Sequence, residues 1–177
     1  LKKLTITACT VSDGKVKAGS DTFKVMLNPS SYWHEYGIDY DRRKTLGQSA
    51  ANPSFSAVDA ERVGFDLVVD GTGAVASKGL GSTPDEVSER IRALRAIVYQ
   101  YRGNEHEPSV VRLLWGSFIF FGRLTSMKVE YTLFKPAGDP LRAKVSLAFV
   151  GFMTKEEEAL RAKRSSPDLS HRILVRA

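Results

Sequence analysis

Apolar and polar residues alternate with a period of two along most of this 177-residue chain. The alternation is densest between residues 107 and 152, where its apolar members are Met127, Val129, Tyr131, Leu133, Val145, Leu147 and Phe149. A period of two places one set of side chains on each face of a strand. Pro136, Gly138 and Pro140 favour a turn between the two runs. The segment therefore predicts a three-stranded antiparallel meander, whose first strand covers about residues 110–121 with Gly116 as a candidate bend.

Shorter alternating runs predict four further strands nearer the amino terminus. They cover residues 4–9, 23–27, 32–40 and 60–69. Asp13-Gly14 predicts a tight hairpin turn between the first two, because Asp-Gly is a common pair in such turns. The third strand has an aromatic stripe that begins at Tyr32, which we interpret as core or cross-strand packing.

Residues 84–101 have the period of a helix. The apolar stripe consists of Val87, Ile91, Leu94, Val98 and Tyr101. Thr83 and Glu86 have capping-box spacing, and Pro84 occupies the first helical position. We expect the stripe to pack on the sheet. Residues 154–164 place acidic residues first and basic residues last, which predicts a second, short helix.

Two segments lack periodicity. Residues 41–59 are polar, and a connection of this length is commonly functional or disordered. A long hairpin arm that packs on a neighbouring subunit is the open alternative. Residues 71–82 are rich in glycine but lack the G-K-[ST] that phosphate-binding loops require, so we interpret them as a linker. These features divide the chain into a β domain over residues 1–153 and a carboxyl-terminal helix and linker over residues 154–177.

The net charge of +6 and the pI near 9.5 raise the question of nucleic-acid binding. The basic residues are scattered, however, and no recognition motif is present, so we expect no specific nucleic-acid partner. The single Cys9 cannot form an internal disulfide. No apolar run approaches the roughly 20 residues of a membrane helix, and the start does not resemble a secretory signal. The sequence therefore predicts a soluble protein made in the cytoplasm, without a membrane partner.

No arrangement of residues predicts catalysis. The protein has three histidines, His34, His106 and His171, and none has metal-ligand spacing to another histidine or to Cys9. The residues Gly47-Gln48-Ser49-Ala50 lack the closing glycine of a nucleophile elbow. Glu105 and Glu107 are alternate residues, which face apart on a strand. We therefore predict that the protein is not an enzyme and that it has no catalytic, metal or cofactor site.

Several segments carry a family resemblance. The string FKVMLNPSSY at residues 23–32 closely resembles the V-x-F-N-P-x-S-Y opening of contractile injection system tube and baseplate-adaptor proteins. Further segments agree in the same order: residues 65–73, the helix that ends near Tyr101, and residues 108–116, 121–124 and 131–143. The resemblance covers about residues 3–153.

The resemblance implies a mainly β (α+β) fold like that of phage tail-tube proteins. Two packed antiparallel sheets would form a barrel or sandwich, with one flanking helix and the short carboxyl-terminal helix. Six copies would form a ring, with a spike or hub protein on one face, inner-tube protein on the other and further baseplate proteins nearby. The ring would be part of a virion tail or a phage tail-like particle. Members with this opening usually continue through a Ser-Pro-Asp-Leu linker into a LysM domain, and residues 166–169 resemble that linker.

Two stretches are candidate interfaces with a subunit or ring. The 41–59 arm contributes Arg42, Arg43, Lys44 and Phe55, and the loop of the meander contributes Phe134, Lys135, Pro136 and Arg142. The alternative for the loop is a solvated hairpin tip. For the whole protein, the leading hypothesis is an adaptor that starts the inner tube on the spike hub. The alternatives are a repeating tube protomer, a peptidoglycan-binding module and, with least support, a cell-wall hydrolase.

Overall fold

The computed structural model describes residues 2–12, 15–41, 54–75, 87–99 and 107–154. In this part of the chain the strands are β1 (Thr5–Ser12), β2 (Lys15–Lys24), β3 (Tyr32–Glu35), β4 (Ile38–Asp41), β5 (Ser54–Val58), β6 (Arg62–Asp70), β7 (Val110–Trp115), β8 (Phe118–Phe134) and β9 (Pro140–Gly151), and the helix is α1 (Val87–Val98). The prediction of a mainly β fold with one packed helix is confirmed.

The strands form two antiparallel sheets. Seven of them make one sheet in the order β2-β1-β7-β8-β9-β6-β3, while β4 and β5 pair separately. The predicted barrel is wrong, because the large sheet of the described residues is open, with β2 and β3 as its edges. The second sheet is a ribbon of two short strands rather than a packed layer. The short helix predicted over residues 154–164 lies almost wholly outside the described residues.

One face of the large sheet and α1 enclose the core. Val87, Ile91, Leu94 and Val98 are buried, which confirms the predicted stripe over the described part of the helix. The alternating apolar residues of β6 and β9 face this helix, and Phe65 of β6 stacks on Phe149 of β9 with ring centroids 5.9 Å apart. The opposite face of β6 and β9 is mixed: charged and polar residues alternate along it with Val68, Ala148 and Val150.

The predicted meander is present as β7, β8 and β9, but one boundary differs. Gly116 does not bend a strand that continues to residue 121. It adopts a φ of +64°, which favours glycine, and takes part in the turn that ends β7. Phe118 therefore begins β8, which runs for 17 residues to Phe134.

The third predicted strand, residues 32–40, is divided. β3 pairs with β6 at the edge of the large sheet, whereas β4 leaves that sheet and pairs with β5. Part of the segment predicted to lack periodic structure therefore belongs to a ribbon, which agrees with the alternative of a hairpin arm. The second predicted strand, residues 23–27, is also displaced, since β2 covers Lys15–Lys24 and pairs with β1 along most of its length.

Asn28 holds the amino-terminal strand in place. Its Oδ1 accepts a hydrogen bond from the Leu4 N–H, and its Nδ2 donates one to the Lys2 carbonyl, both at 2.9 Å. We expect Asn28→Ala to lower the free energy of unfolding by about 1.5 kcal/mol, because two hydrogen bonds beside the buried Leu4 are lost. Urea denaturation measures the effect. Ser30→Ala, at an exposed position, is the control, and equal effects of the two substitutions would contradict this role.

Candidate functional site

Strand β8 has a neighbour on one side only over much of its length. β7 pairs with it from Phe118 to Gly122, and β9 pairs with it from Gly122 to Phe134. Over residues 123–134, the described chain supplies no strand on the side away from β9. Edge strands of this length expose backbone N–H and C=O groups that can pair with another chain. This half of β8 is therefore a candidate assembly edge.

The end of the β8–β9 hairpin is exposed and apolar. Tyr131, Leu133 and Phe134 are all exposed, Phe134 to 54%. The turn is closed by the Lys135 N–H, which donates to the Asp139 carbonyl at 2.8 Å, and Gly138 takes a φ of +96°. Three sequence candidates, Phe134, Lys135 and Pro136, thus lie together and exposed at this end. We call Tyr131–Phe134 with the following turn the hairpin end.

Arg142 lies in β9 and is engaged within the chain. Its Nη2 and Nε are 2.5 and 2.6 Å from Oδ2 of Asp70 on β6, and the Asp70 side chain is only 2% exposed. Burial acts to raise the pKa of the Asp70 carboxyl, but hydrogen bonds from Thr72 and the Arg142 guanidinium outweigh it, so the pKa lies below its ordinary value. Of the hairpin candidates, Arg142 therefore has a clear structural role.

A ladder of charged residues covers the face of the sheet opposite the core. Lys144 Nζ lies 2.8 Å from Asp66 Oδ2, and Lys128 Nζ lies 2.5 Å from Glu130 Oε1. The hydrogen bond from Lys144, followed by one from Ser146, holds the pKa of the Asp66 carboxyl below its ordinary value. These pairs are about half exposed, so each contributes little to stability. The face is hydrophilic and its charges are largely paired.

The ribbon β4–β5 projects from the edge of the large sheet. Its main contacts among the described elements are internal, and it exposes Ile38, Tyr40 and Val58. Phe55 lies opposite Tyr40 in the register of the ribbon. The candidates Arg42, Arg43 and Lys44 lie outside the described residues.

The His34 side chain makes several contacts at the point where the chain leaves β3 and enters the ribbon. Its Nε2 is 3.1 Å from Glu61 Oε2, and its Nδ1 is 3.1 Å from the Tyr36 hydroxyl. Its ring meets Phe118 and Phe120 edge to face. Sequence spacing could not identify this cluster, because its members come from three separate strands and loops. Its neighbour Tyr32 packs on Phe118 across strands but remains about half exposed, so the aromatic stripe is only partly covered.

The described residues contain neither a metal-binding cluster nor a membrane-spanning helix. No group of three or more His, Cys, Asp or Glu side chains there is arranged to hold a metal ion. Within the same ranges, no helix has the length and apolar character needed to cross a bilayer. The features that distinguish this surface are therefore its free strand edge, its hairpin end and its ribbon.

Comparison with known proteins identifies one family. The model for contractile injection system tube proteins matches residues 1–160. No curated protein matches the chain. The matched residues include the whole large sheet, the ribbon and α1.

Proposed function

The chain belongs to the contractile injection system tube protein family, and we propose that its copies form a homohexameric ring that starts the inner tube on the spike hub. Membership gives the protein a structural role in the tube of a tail particle. The ring, its copy number and its place next to the hub are the proposal. The observation that carries it is that, among the described strands, half of β8 and one edge of β3 have no partner.

Joining these edges across copies would continue the sheet from one copy to the next. Over residues 123–127 of β8, the local strand order is β8-β9-β6-β3, and successive strands are antiparallel. β8 and β3 therefore run in opposite directions, so β8 of one copy can pair in antiparallel fashion with β3 of the next. The contact joins two different surfaces and can close into a ring by rotation. It also covers two edges that would otherwise favour aggregation.

The hairpin end supports contacts along the tube axis. Phe134 and the turn extend beyond Asp70, the last residue of β6 that pairs with β9, while Tyr131 and Leu133 lie level with the end of β6. A ring that stacks on another component must present such a surface on one of its two faces. We propose that the hairpin end contacts the hub or the adjacent tube ring.

We favour the adaptor over the repeating tube protomer because residues 166–169 resemble the linker that precedes LysM in adaptor proteins. The two roles differ in self-assembly. A repeating protomer stacks on its own rings and forms long tubes, whereas an adaptor forms single rings, alone or on the hub. Negative-stain imaging of the purified protein, with and without hub protein, distinguishes these outcomes.

Native mass spectrometry with the same imaging tests the ring itself. A six-fold particle with a central hole, alone or with hub protein, is the expected result. A chain that remains monomeric with the hub present contradicts the proposal. Long tubes without any other component would retain the ring and contradict the adaptor role.

The hairpin end provides a separable test. We expect Leu133→Ser with Phe134→Ser to abolish binding to hub or tube protein while shifting the free energy of unfolding by less than about 0.5 kcal/mol, because both side chains are already exposed. Ile119→Ser is the control, since Ile119 lies on the same strand and is 58% exposed, but far from the hairpin end. Pull-down with each partner measures binding. Equal loss of binding in the two variants would contradict a specific role for the hairpin end.

A further inference from the structure

The regular part of the free β8 edge is short. The register with β9 is interrupted between Leu124 and Ser126 and again between Tyr131 and Leu133, so only residues 126–131 pair without a shift. A bulge bends its strand and leaves one residue unpaired. We therefore expect an added strand to pair within these six residues. The proposed partner, β3 of a neighbouring copy, has four residues.

The backbone of β8 presents groups to its free edge at alternate positions. In an antiparallel sheet, the N–H and C=O of successive residues point to opposite sides of the strand. The Phe152 N–H at the end of β9 donates to the Phe121 carbonyl at 2.9 Å, so its backbone groups point to β8. This alternation, followed along β9 and across its register with β8, leaves the following residues with their backbone groups directed to the free edge: Met127, Val129 and Tyr131.

The same alternation continues across β6 and directs the backbone groups of Tyr32 and His34 away from β6. Both side chains lie on the helix side of the sheet, where the His34 ring meets Phe120, and the outward positions of β8 also face that side. Residues that pair directly share a face and both need outward backbone groups. Tyr32 must therefore lie opposite Val129 or Tyr131, if all four residues of β3 pair within the regular stretch.

The tilt of the strands in a closed ring favours Tyr131. Within one copy, the registers across β6 and β9 place Tyr32 level with Met127. Pairing with Tyr131 of the neighbour therefore shifts the register by four residues for every four strands. An eight-stranded barrel with a shear of eight has the same ratio and a strand tilt of about 36°, which is usual for closed sheets. Pairing with Val129 halves the shift and reduces the tilt to about 20°.

The Tyr131 register also opposes complementary side chains. On the polar face it places Glu35 opposite Lys128, in a pair without mutual backbone hydrogen bonds, where side chains lie closest. On the other face Tyr32 meets Tyr131, and both are nearly half exposed in the single chain. In the alternative register Glu35 faces Ser126. Cross-strand pairs of opposite charge and of aromatic rings each stabilise a sheet, so the side chains select the same register as the tilt.

Existing contacts leave both charged residues able to pair. Lys128 lies beside Glu130 in its own strand, but the two side chains are 69% and 47% exposed, so this pair contributes little. The ammonium has three donors and can reach a second carboxylate. Glu35 lies opposite Arg62 on β6, so in the ring it would have a cation on each neighbouring strand.

We propose that β3 of each copy pairs with residues 128–131 of its neighbour, so that Glu35 of one copy lies opposite Lys128 of the other. The inference rests on the proposed head-to-tail ring and specifies the register of its contact. Trp33 then faces Glu130, and its indole ring lies over β6 of its own chain, away from that carboxylate. The contact joins two different edges, so it closes into a ring and does not form a two-fold dimer.

Disulfide formation between copies measures the register. Glu35→Cys with Lys128→Cys is the test variant, and Glu35→Cys with Ser126→Cys is the matched control for the alternative register. Both carry Cys9→Ala, so no other thiol is present. Within one copy β3 and β8 are three strand spacings apart, roughly 14 Å, so each disulfide must join two copies. We expect mild oxidation to link the test variant into covalent oligomers up to the full ring, with at least about tenfold less linkage in the control.

Charge exchange tests the same pair without a covalent bond. Glu35→Lys and Lys128→Glu each oppose like charges, so we expect each to raise the concentration for half-assembly about tenfold at low salt. The variant with both changes should assemble at a lower concentration than either single variant, because opposite charges meet again. Arg92→Glu on the exposed face of α1 is the control and should assemble as the wild type does. Sedimentation velocity measures assembly, and circular dichroism checks that every variant is folded.

The outcomes separate this inference from the proposed function. Linkage through Ser126 in place of Lys128, rings in which neither cysteine pair links, or a double charge variant that assembles no better than the single variants would overturn the register and leave the ring intact. A wild-type chain that forms no ring even on the hub would overturn the proposed function and this inference with it. Linkage confined to the pair at Glu35 and Lys128, with recovery in the double charge variant, is the supporting result.

Discussion

Replacing Arg142 with methionine should lower the free energy of unfolding by about 2 to 3 kcal/mol. The substitution keeps most of the aliphatic stem but removes the only cation described beside the Asp70 carboxylate. Asp70 is 2% exposed, so water cannot replace the guanidinium, and removal of one partner leaves a buried charge without compensation. The loss falls short of the largest values for buried pairs, because Thr72 still donates two hydrogen bonds to Asp70.

Lys144→Met is the matched control. Lys144 lies two residues along the same strand, faces the same side of the sheet and pairs with Asp66 on β6, as Arg142 pairs with Asp70. Asp66 is 51% exposed, so its carboxylate remains hydrated when the lysine is removed. We expect a change of less than about 0.5 kcal/mol. Urea denaturation of both variants measures the difference, and equal losses would contradict the importance of burial.

The same ion pair predicts a dependence on pH. The pKa of Asp70 is lower in the folded protein than in the unfolded chain, so its contribution to stability is fully present above the unfolded pKa, about 4. That contribution is lost as the pH falls through the folded pKa. In the Arg142→Met variant, the guanidinium no longer counteracts the effect of burial, so the pKa of the Asp70 carboxyl is higher than in the wild type. We therefore expect the stability difference between wild type and variant to shrink as the pH is lowered below about 4.

Sequence periodicity predicted the helix and those strands that bury one face. The helix stripe and the alternation of β8 and β9 were identified because burial of one face leaves a period in the sequence. The exposed hairpin end could also be predicted, since apolar Phe134 precedes a run rich in proline and glycine. In contrast, the Asp70–Arg142 pair joins residues 72 positions apart, and no local period reports such a pair.

The features of the fold that the sequence could not predict depend on which strands pair with each other. Alternation continues from Tyr32 through Tyr40 as though one strand were present, but β3 pairs with β6 and β4 pairs with β5, so the chain divides at Tyr36-Gly37. The open sheet was missed for a related reason. A period of two shows which side chains face a core, but it does not show whether the first and last strands meet. The free edges on which the proposed assembly depends are therefore visible only in the structure.

Gly122→Ala should lower the free energy of unfolding by about 3 kcal/mol. Gly122 is buried in β8, between its partners Val111 and Gly151. An added Cβ would lie 2.5 Å from the Val150 carbonyl oxygen and 2.5 Å from the ring of Phe120. The ring could rotate, but the carbonyl belongs to a strand paired on both sides, so the backbone itself would have to move.

Gly116→Ala separates this steric effect from backbone strain. Gly116 has a φ of +64°, and an added Cβ would have no heavy atom within 4 Å, so only the conformational cost of about 1 kcal/mol applies. A loss of stability at Gly122 no larger than at Gly116, measured by urea denaturation, would contradict the steric argument.

Gly122 is also the residue at which β8 leaves β7 and its free edge begins. A shift there displaces residues 123–134, so Gly122→Ala should weaken ring formation more than a comparably destabilising substitution in α1, such as Leu94→Ala at a fully buried position.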